Sequence, residues 1–90
     1  MESVERLKIR NNLGLHARAA AKIMSLGNRY KSHLFLKRDG KEVDGGSILS
    51  ILVLSCPKGI EVEARIVGED CEAFMGELRV LFEERFGEDR

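Results

Sequence analysis

The sequence predicts an open-faced two-layer sandwich of the α/β (α+β) class. Four mostly antiparallel strands carry three helices on one face, in the order β-α-β-β-α-β-α. Three observations predict it. The strand segments alternate apolar and polar residues with period two, so each needs cover on one face only. An Asp39-Gly40 pair joins two of them as a hairpin. Segments with helical spacing lie between and after the strands and can supply the cover. A chain of 90 residues suits one domain spanning 1–90, too small for a deep enclosed site.

Each element has its own warrant. "VERLKIRN", residues 4–11, alternates Leu7 and Ile9 with charges and reads as a first strand. From Ala17 onward Ala20, Ile23, Met24 and Gly27 recur at helical spacing, and Gly27-Asn28 is expected to stop that helix. "SHLFLKRDGKEV", residues 32–43, sets Leu34 and Leu36 against Phe35 and turns at Asp39-Gly40 into a short second arm. "SILSILVLSCP", residues 47–57, is apolar throughout; Ser47 is a good cap and Pro57 ends helix before itself, so it reads as a short second helix. "IEVEARIVG", residues 60–68, points Ile60, Val62, Ala64 and Ile66 inward and Glu61, Glu63 and Arg65 outward. In the last segment Cys71, Phe74, Met75, Leu78, Leu81 and Phe82 form an apolar stripe, with Asp70 as expected cap and Gly87 beyond the end. The first residues and the terminal "GEDR" are expected to fray.

Composition narrows the function. Fifteen Lys/Arg balance fifteen Asp/Glu, which argues against nonspecific nucleic-acid binding. The charge is nonetheless divided. Residues 1–45 hold ten Lys/Arg against five Asp/Glu, and residues 46–90 hold five against ten, so an anionic ligand or acidic partner is favoured near the first half unless folding interleaves the two. No apolar stretch approaches the roughly 20 residues a membrane crossing needs, and no secretory signal opens the chain. The expectation is a cytoplasmic protein without membrane partner. Cys56 and Cys71 fit neither a disulfide framework nor a CxxC motif and read as buried thiols. Two scattered histidines and two cysteines give no metal spacing, so no metal and no cofactor is expected.

One local rule is broken. In "LGLHARAAAKI", residues 13–23, the residue at the helix start is His16, where a short oxygen acceptor caps better. An ordinary imidazole, with pKa about 6.5, is mostly neutral at pH 7 and has a free ring nitrogen able to attack phosphorus. The amides of Ala17, Arg18 and Ala19, at the positive end of the helix dipole, would form an anion site, and the Arg18 guanidinium would fork onto phosphate oxygens. Gly14 allows close approach or positive φ just before the turn, and the alanines keep the helix start narrow. His16 could equally be a surface histidine that happens to precede a helix. His33, in a strand and opposite Leu34 and Leu36, reads as structural. "GKEVDGGS", residues 40–47, matches a phosphate-binding loop except that Gly46 replaces the required lysine, and part of it is a hairpin arm; it is not expected to bind nucleotide.

"LGLHARAAAKI" resembles the active-site segment of the HPr family, the histidine-containing phosphocarriers of the bacterial phosphoenolpyruvate-dependent sugar phosphotransferase system. The family motif reads Gly-Leu-His-Ala-Arg followed by proline or a small residue. "GKEVDGGSILSILVLSCPKGIEVEARIVGED" resembles the family's regulatory serine, short docking helix and fourth strand. The likeness covers nearly the whole chain and implies the same fold order. It implies that His16 takes a phosphoryl group on Nδ1 from phosphorylated enzyme I and passes it to IIA domains of sugar permeases or to related regulators. Arg18 would help hold that group. Ser47 would be the site of an HPr kinase/phosphorylase, and Ala21, Ile48, Leu49 and Leu52 would dock partners. The protein would be a phosphoryl carrier more than an enzyme, and nothing demands more than a monomer. Two positions depart from the pattern: Ala19 stands where proline is frequent, and Gly46 where a lysine often precedes the serine. The alternative is a regulatory binding module, controlled by Ser47 phosphorylation, in which His16 transfers nothing; Ser47 could also be a helix cap alone.

Overall fold

Leu34, Leu36, Val62, Ala64 and Ile66, the period-two apolar positions of two strands, are all buried, and their common face decides where the helices lie. The computed structural model describes residues 1–90. The chain runs β1 (Glu2–Lys8), α1 (Ala17–Gly27), β2 (His33–Arg38), β3 (Lys41–Asp44), α2 (Ile48–Val53), β4 (Glu61–Val67) and α3 (Cys71–Glu83), followed by a 3-10 turn at Arg85–Gly87. The sheet order is β1-β4-β2-β3 with every pair antiparallel. The last strand therefore sits between the first two, setting Val62 opposite Leu7 and Ala64 opposite Leu36.

Ile23 and Leu26 of α1, Ile51 of α2, and Phe74, Met75, Leu78 and Phe82 of α3 join that face in one hydrophobic cluster. Removing each such side chain from water stabilises the fold by about 1.5–3 kcal/mol. The opposite face is open. There Arg65 lies 4.5 Å above the Phe35 ring and binds Glu42 through two hydrogen bonds of 3.0 and 2.8 Å. His33 is exposed on this same face, stacked on Phe35, which separates it from the helices as its strand position implied.

Several local expectations are corrected. Asp70 makes no side-chain cap for α3. Its carboxylate instead accepts from the backbone N–H groups of Lys31 and Ser32, at 2.9 Å each, and from the Ser32 hydroxyl. Those bonds, the hydroxyl first, hold its pKa below the ordinary carboxylate value, because they favour the ionised form. α1 does stop at Gly27-Asn28 as expected, but with Asn28 right-handed and no left-handed glycine; Gly27 is the last helical residue, and a side chain there would press on the Phe74 ring, 3.3 Å from a Cβ. α2 ends well before Pro57, because Ser55 takes positive φ and the Arg38 guanidinium donates to the carbonyls of Leu54 and Ser55, a cation closing a helix C-terminus.

The termini are not frayed. Glu2 already belongs to β1. After α3, Arg85 and Phe86 both take positive φ and reverse the chain. That conformation costs about 1–3 kcal/mol at a bulky residue. Full burial of Phe86, edge-on to Phe82 at 4.9 Å, offsets it. Lys22 of α1 donates to the Phe86 carbonyl, and the reversal sends the last residues back across the start of α1.

Candidate functional site at the mouth of α1

The approach to α1 is fixed by backbone geometry. Gly14 has φ +71°, and a Cβ there would stand 2.4 Å from the Cys56 carbonyl oxygen, so only glycine fits. The same carbonyl accepts from Leu15 N–H at 2.9 Å, and Leu15 is buried. Asn11, wholly buried, donates through Nδ2 to the Gly14 carbonyl at 2.8 Å. These contacts tie the loop to the chain after α2 and leave His16 at the N-cap in extended conformation.

His16 caps the helix itself. Its Nδ1 accepts from Arg18 N–H at 3.3 Å, a long bond that a better acceptor would displace. The ring is a quarter exposed. Its other nitrogen, Nε2, contacts the Glu88 carboxylate. The amides of Ala17 and Ala19 have no helical carbonyl to bond, so they and Arg18 N–H, on which Nδ1 rests, are the free donors of the first turn. Ala19 keeps an N–H that proline would lack. Arg18 is exposed, and its charge reaches Glu88. The alanines do two jobs: Ala17 is exposed and leaves the mouth open, whereas Ala19 and Ala20 are wholly buried and are small because they pack in the core.

Glu88 escaped sequence reasoning. It follows a glycine, belongs to no periodic segment, and lies 72 residues from His16; only the Phe86 reversal brings it back. Burial works against its ionisation, but the Asn11 amide, the His16 ring and the Arg18 charge together outweigh burial and bring its pKa below the ordinary value. Asn11 was passed over too, as one more polar residue of a loop. Beside the tail, Lys8, Arg10, Lys58, Arg85 and Arg90, with Glu83 among them, line an open surface depression. These cations come from both halves of the chain, so the charge division along the sequence does not survive folding as two separate halves.

Ser47 caps α2 with its Oγ accepting from Ser50 N–H at 3.3 Å. α1 and α2 pack side by side. Of the expected docking residues, Leu49 is 75% exposed, Ile48 is half-buried against the core, and Ala21 and Leu52 are half-buried. Leu13 and Val53, exposed to 70% and 57%, were not anticipated; Leu13 stands in the histidine loop and Val53 ends α2. Cys56 and Cys71 are free and buried, and burial pushes the Cys56 thiol above its ordinary pKa. The Gly40–Ser47 stretch holds β3 and no continuous phosphate loop.

An open-faced sandwich whose first helix is capped by a part-exposed imidazole is the class of small α+β protein that this fold and site define. Residues 4–84 match the family model described as "PTS HPr component phosphorylation site". The chain belongs to the HPr family and is a phosphocarrier of the phosphotransferase system, not an enzyme in itself. It is 41% identical over 83 residues to phosphocarrier protein HPr of Xylella fastidiosa (strain Temecula1 / ATCC 700964), covering 92% of this chain and 93% of that one. It is 32% identical over 84 residues to phosphocarrier protein NPr of Escherichia coli (strain K12), at 92% and 93% coverage. The crystal structure of HPr-C-His from Thermoanaerobacter tengcongensis superposes with a TM-score of 0.93 at 32% identity, covering 98% of this chain and 99% of that one.

Proposed function

We propose that His16 is the phosphoryl-carrying residue, that the group arrives on Nδ1 from phosphorylated enzyme I, itself charged by phosphoenolpyruvate, and that it leaves for IIA domains of sugar permeases or related regulators. The observation that carries this reading is the direction of Nδ1, which faces Arg18 N–H at the start of α1. A phosphoryl group there would replace a weak amide contact with bonds from the Ala17, Arg18 and Ala19 amides and a fork from the Arg18 guanidinium. Leu49, with Ala21, Ile48 and Leu52 beside it, would form a small transient interface next to the histidine. Every group in this site comes from one chain of residues 1–90, so a monomer suffices. The free thiols of Cys56 and Cys71 suit the cytoplasm.

Incubation with enzyme I and phosphoenolpyruvate should place an acid-labile, base-stable label on His16, located by mass spectrometry and absent from His16→Ala. Equal labelling of that variant would end the proposal. We place control at Ser47, as a substrate for an HPr kinase/phosphorylase. A phosphate on its Oγ would sit at the α2 N-terminus and set negative charge beside Leu49, repelling an acidic partner. Kinase and ATP should then give an acid-stable label on Ser47 and slower transfer through His16. Acid-stable label on Ser47 in a protein whose His16 never labels would favour a purely regulatory module.

A further inference from the structure

The two nitrogens of the His16 ring face opposite kinds of partner. Nδ1 faces an N–H donor, that of Arg18 at 3.3 Å, and so must present its lone pair. Nε2 faces the Glu88 carboxylate, which when ionised only accepts, so Nε2 must carry the proton. Glu88 is held for this contact. Its second oxygen accepts from Asn11 Nδ2 at 3.0 Å, its side chain is 15% exposed, and the buried Phe86 fixes the turn that delivers it. Charged groups around this carboxylate are His16 and Arg18; Asn11 is neutral, and Lys22 is engaged by the Phe86 carbonyl. Glu88 lies outside residues 4–84, the stretch that matches the family model.

We propose that Glu88 is a positioning residue that keeps the proton on Nε2 throughout phosphoryl transfer. This rests on the reading of His16 as the carrier. The Nδ1 lone pair bonds to phosphorus while the donor's bond to phosphorus breaks and its electron pair leaves with the donor. No proton moves: the ring already bears hydrogen on Nε2 and becomes a phosphorylated imidazolium beside a carboxylate. In the onward step the acceptor's nucleophile bonds phosphorus, the Nδ1–P pair returns to Nδ1, and the neutral Nε2–H ring is restored. The retained proton matters because the leaving group is then neutral imidazole. Without it, the leaving group would be an imidazolide anion, which departs far less readily. A carboxylate that orients a histidine through the nitrogen not doing the chemistry acts in this way elsewhere.

Ring nitrogen-15 NMR of the free protein should show the Nε2–H tautomer for neutral His16, shifting to a mixture in Glu88→Ala. After labelling by enzyme I and phosphoenolpyruvate, the pH at which the phosphorylated ring loses its Nε2 proton should fall by about one unit in Glu88→Ala and Glu88→Gln, the scale expected when an adjacent opposite charge is removed. The pH profile of label loss should move with it. Glu88→Gln, which keeps an acceptor without the charge, should retain the tautomer, and Glu88→Asp should recover part of the shift. Thermal melts of the three variants should match the parent closely enough to show that they fold. An Nδ1–H tautomer in the parent protein, or identical tautomers and midpoints in parent and Glu88→Ala, would overturn the proposal and leave the carrier reading intact. A parent protein that takes no label would overturn both.

Discussion

α1 and α2 both begin with a capping side chain, yet the caps are assembled from different distances along the chain. At α2, Ser47 accepts from Ser50 three residues away, and sequence chemistry is nearly sufficient. At α1, His16 is a poor cap by type, and its own bond to Arg18 N–H is long. What keeps it in place comes from elsewhere: the Cys56 carbonyl under Gly14, the buried Asn11 amide, and Glu88 on the far nitrogen. If His16 carries the phosphoryl group as proposed, Nδ1 has to stay free of a strong bond to its own helix, and the Glu88 contact holds the ring from the opposite edge.

Breaking the scaffold under α1 should have the largest effect. Gly14→Val sets a branched side chain at φ +71° against the Cys56 carbonyl; a loss of about 3 kcal/mol in urea unfolding is expected, with loss of His16 labelling beyond what instability explains. Ser47→Ala removes one local bond and should cost about 1 kcal/mol. In that variant His16 should still label, because the two mouths are held independently. Acid should separate them further. Glu88 has a lowered pKa in the folded chain, so its contribution is complete above the ordinary glutamate value near 4.3 and disappears as pH falls through the lower folded value. That change should be under about 1 kcal/mol, since the pair is partly exposed. It should be seen as acid-dependent amide exchange at residues 16–18 and none at the Ser47 cap, whose hydroxyl does not titrate in this range. The smallest effect belongs to Gly46→Ala. Its Cβ would meet only the exposed Asp44 carboxylate, at 3.2 Å, which accepts from Gly46 N–H at 2.8 Å, and stability by denaturant melt should change by about 0.5 kcal/mol or less.

How far the sequence could be read follows the same division. The strands and the α3 stripe were legible because period-two and period-3.6 patterns encode burial locally, as Val62, Ala64, Ile66, Phe74 and Leu78 show. Asp39-Gly40 was legible because its two consecutive left-handed residues form a hairpin turn of known chemistry. Asp70 misled because aspartate before a helix is ordinarily a cap, whereas here the Lys31 and Ser32 amides, 39 and 38 residues away, claim its carboxylate. The tail misled because a polar "GEDR" has no pattern to separate a frayed end from an anchored one; Phe86 is the anchor, and its burial could not be told from that of a helix-stripe residue.

The sequence by itself determined the element order, the inward faces, the cap at Ser47 and the histidine, arginine and glycine of the "LGLHAR" segment, because each depends on residues within a few positions of one another. Only the tertiary structure decided that β4 enters the middle of the sheet, that Cys56 backs Gly14, and that Glu88 and Asn11 meet at His16. Those contacts join residues tens of positions apart. They are selected by the packing of the whole core, and no local pattern records them.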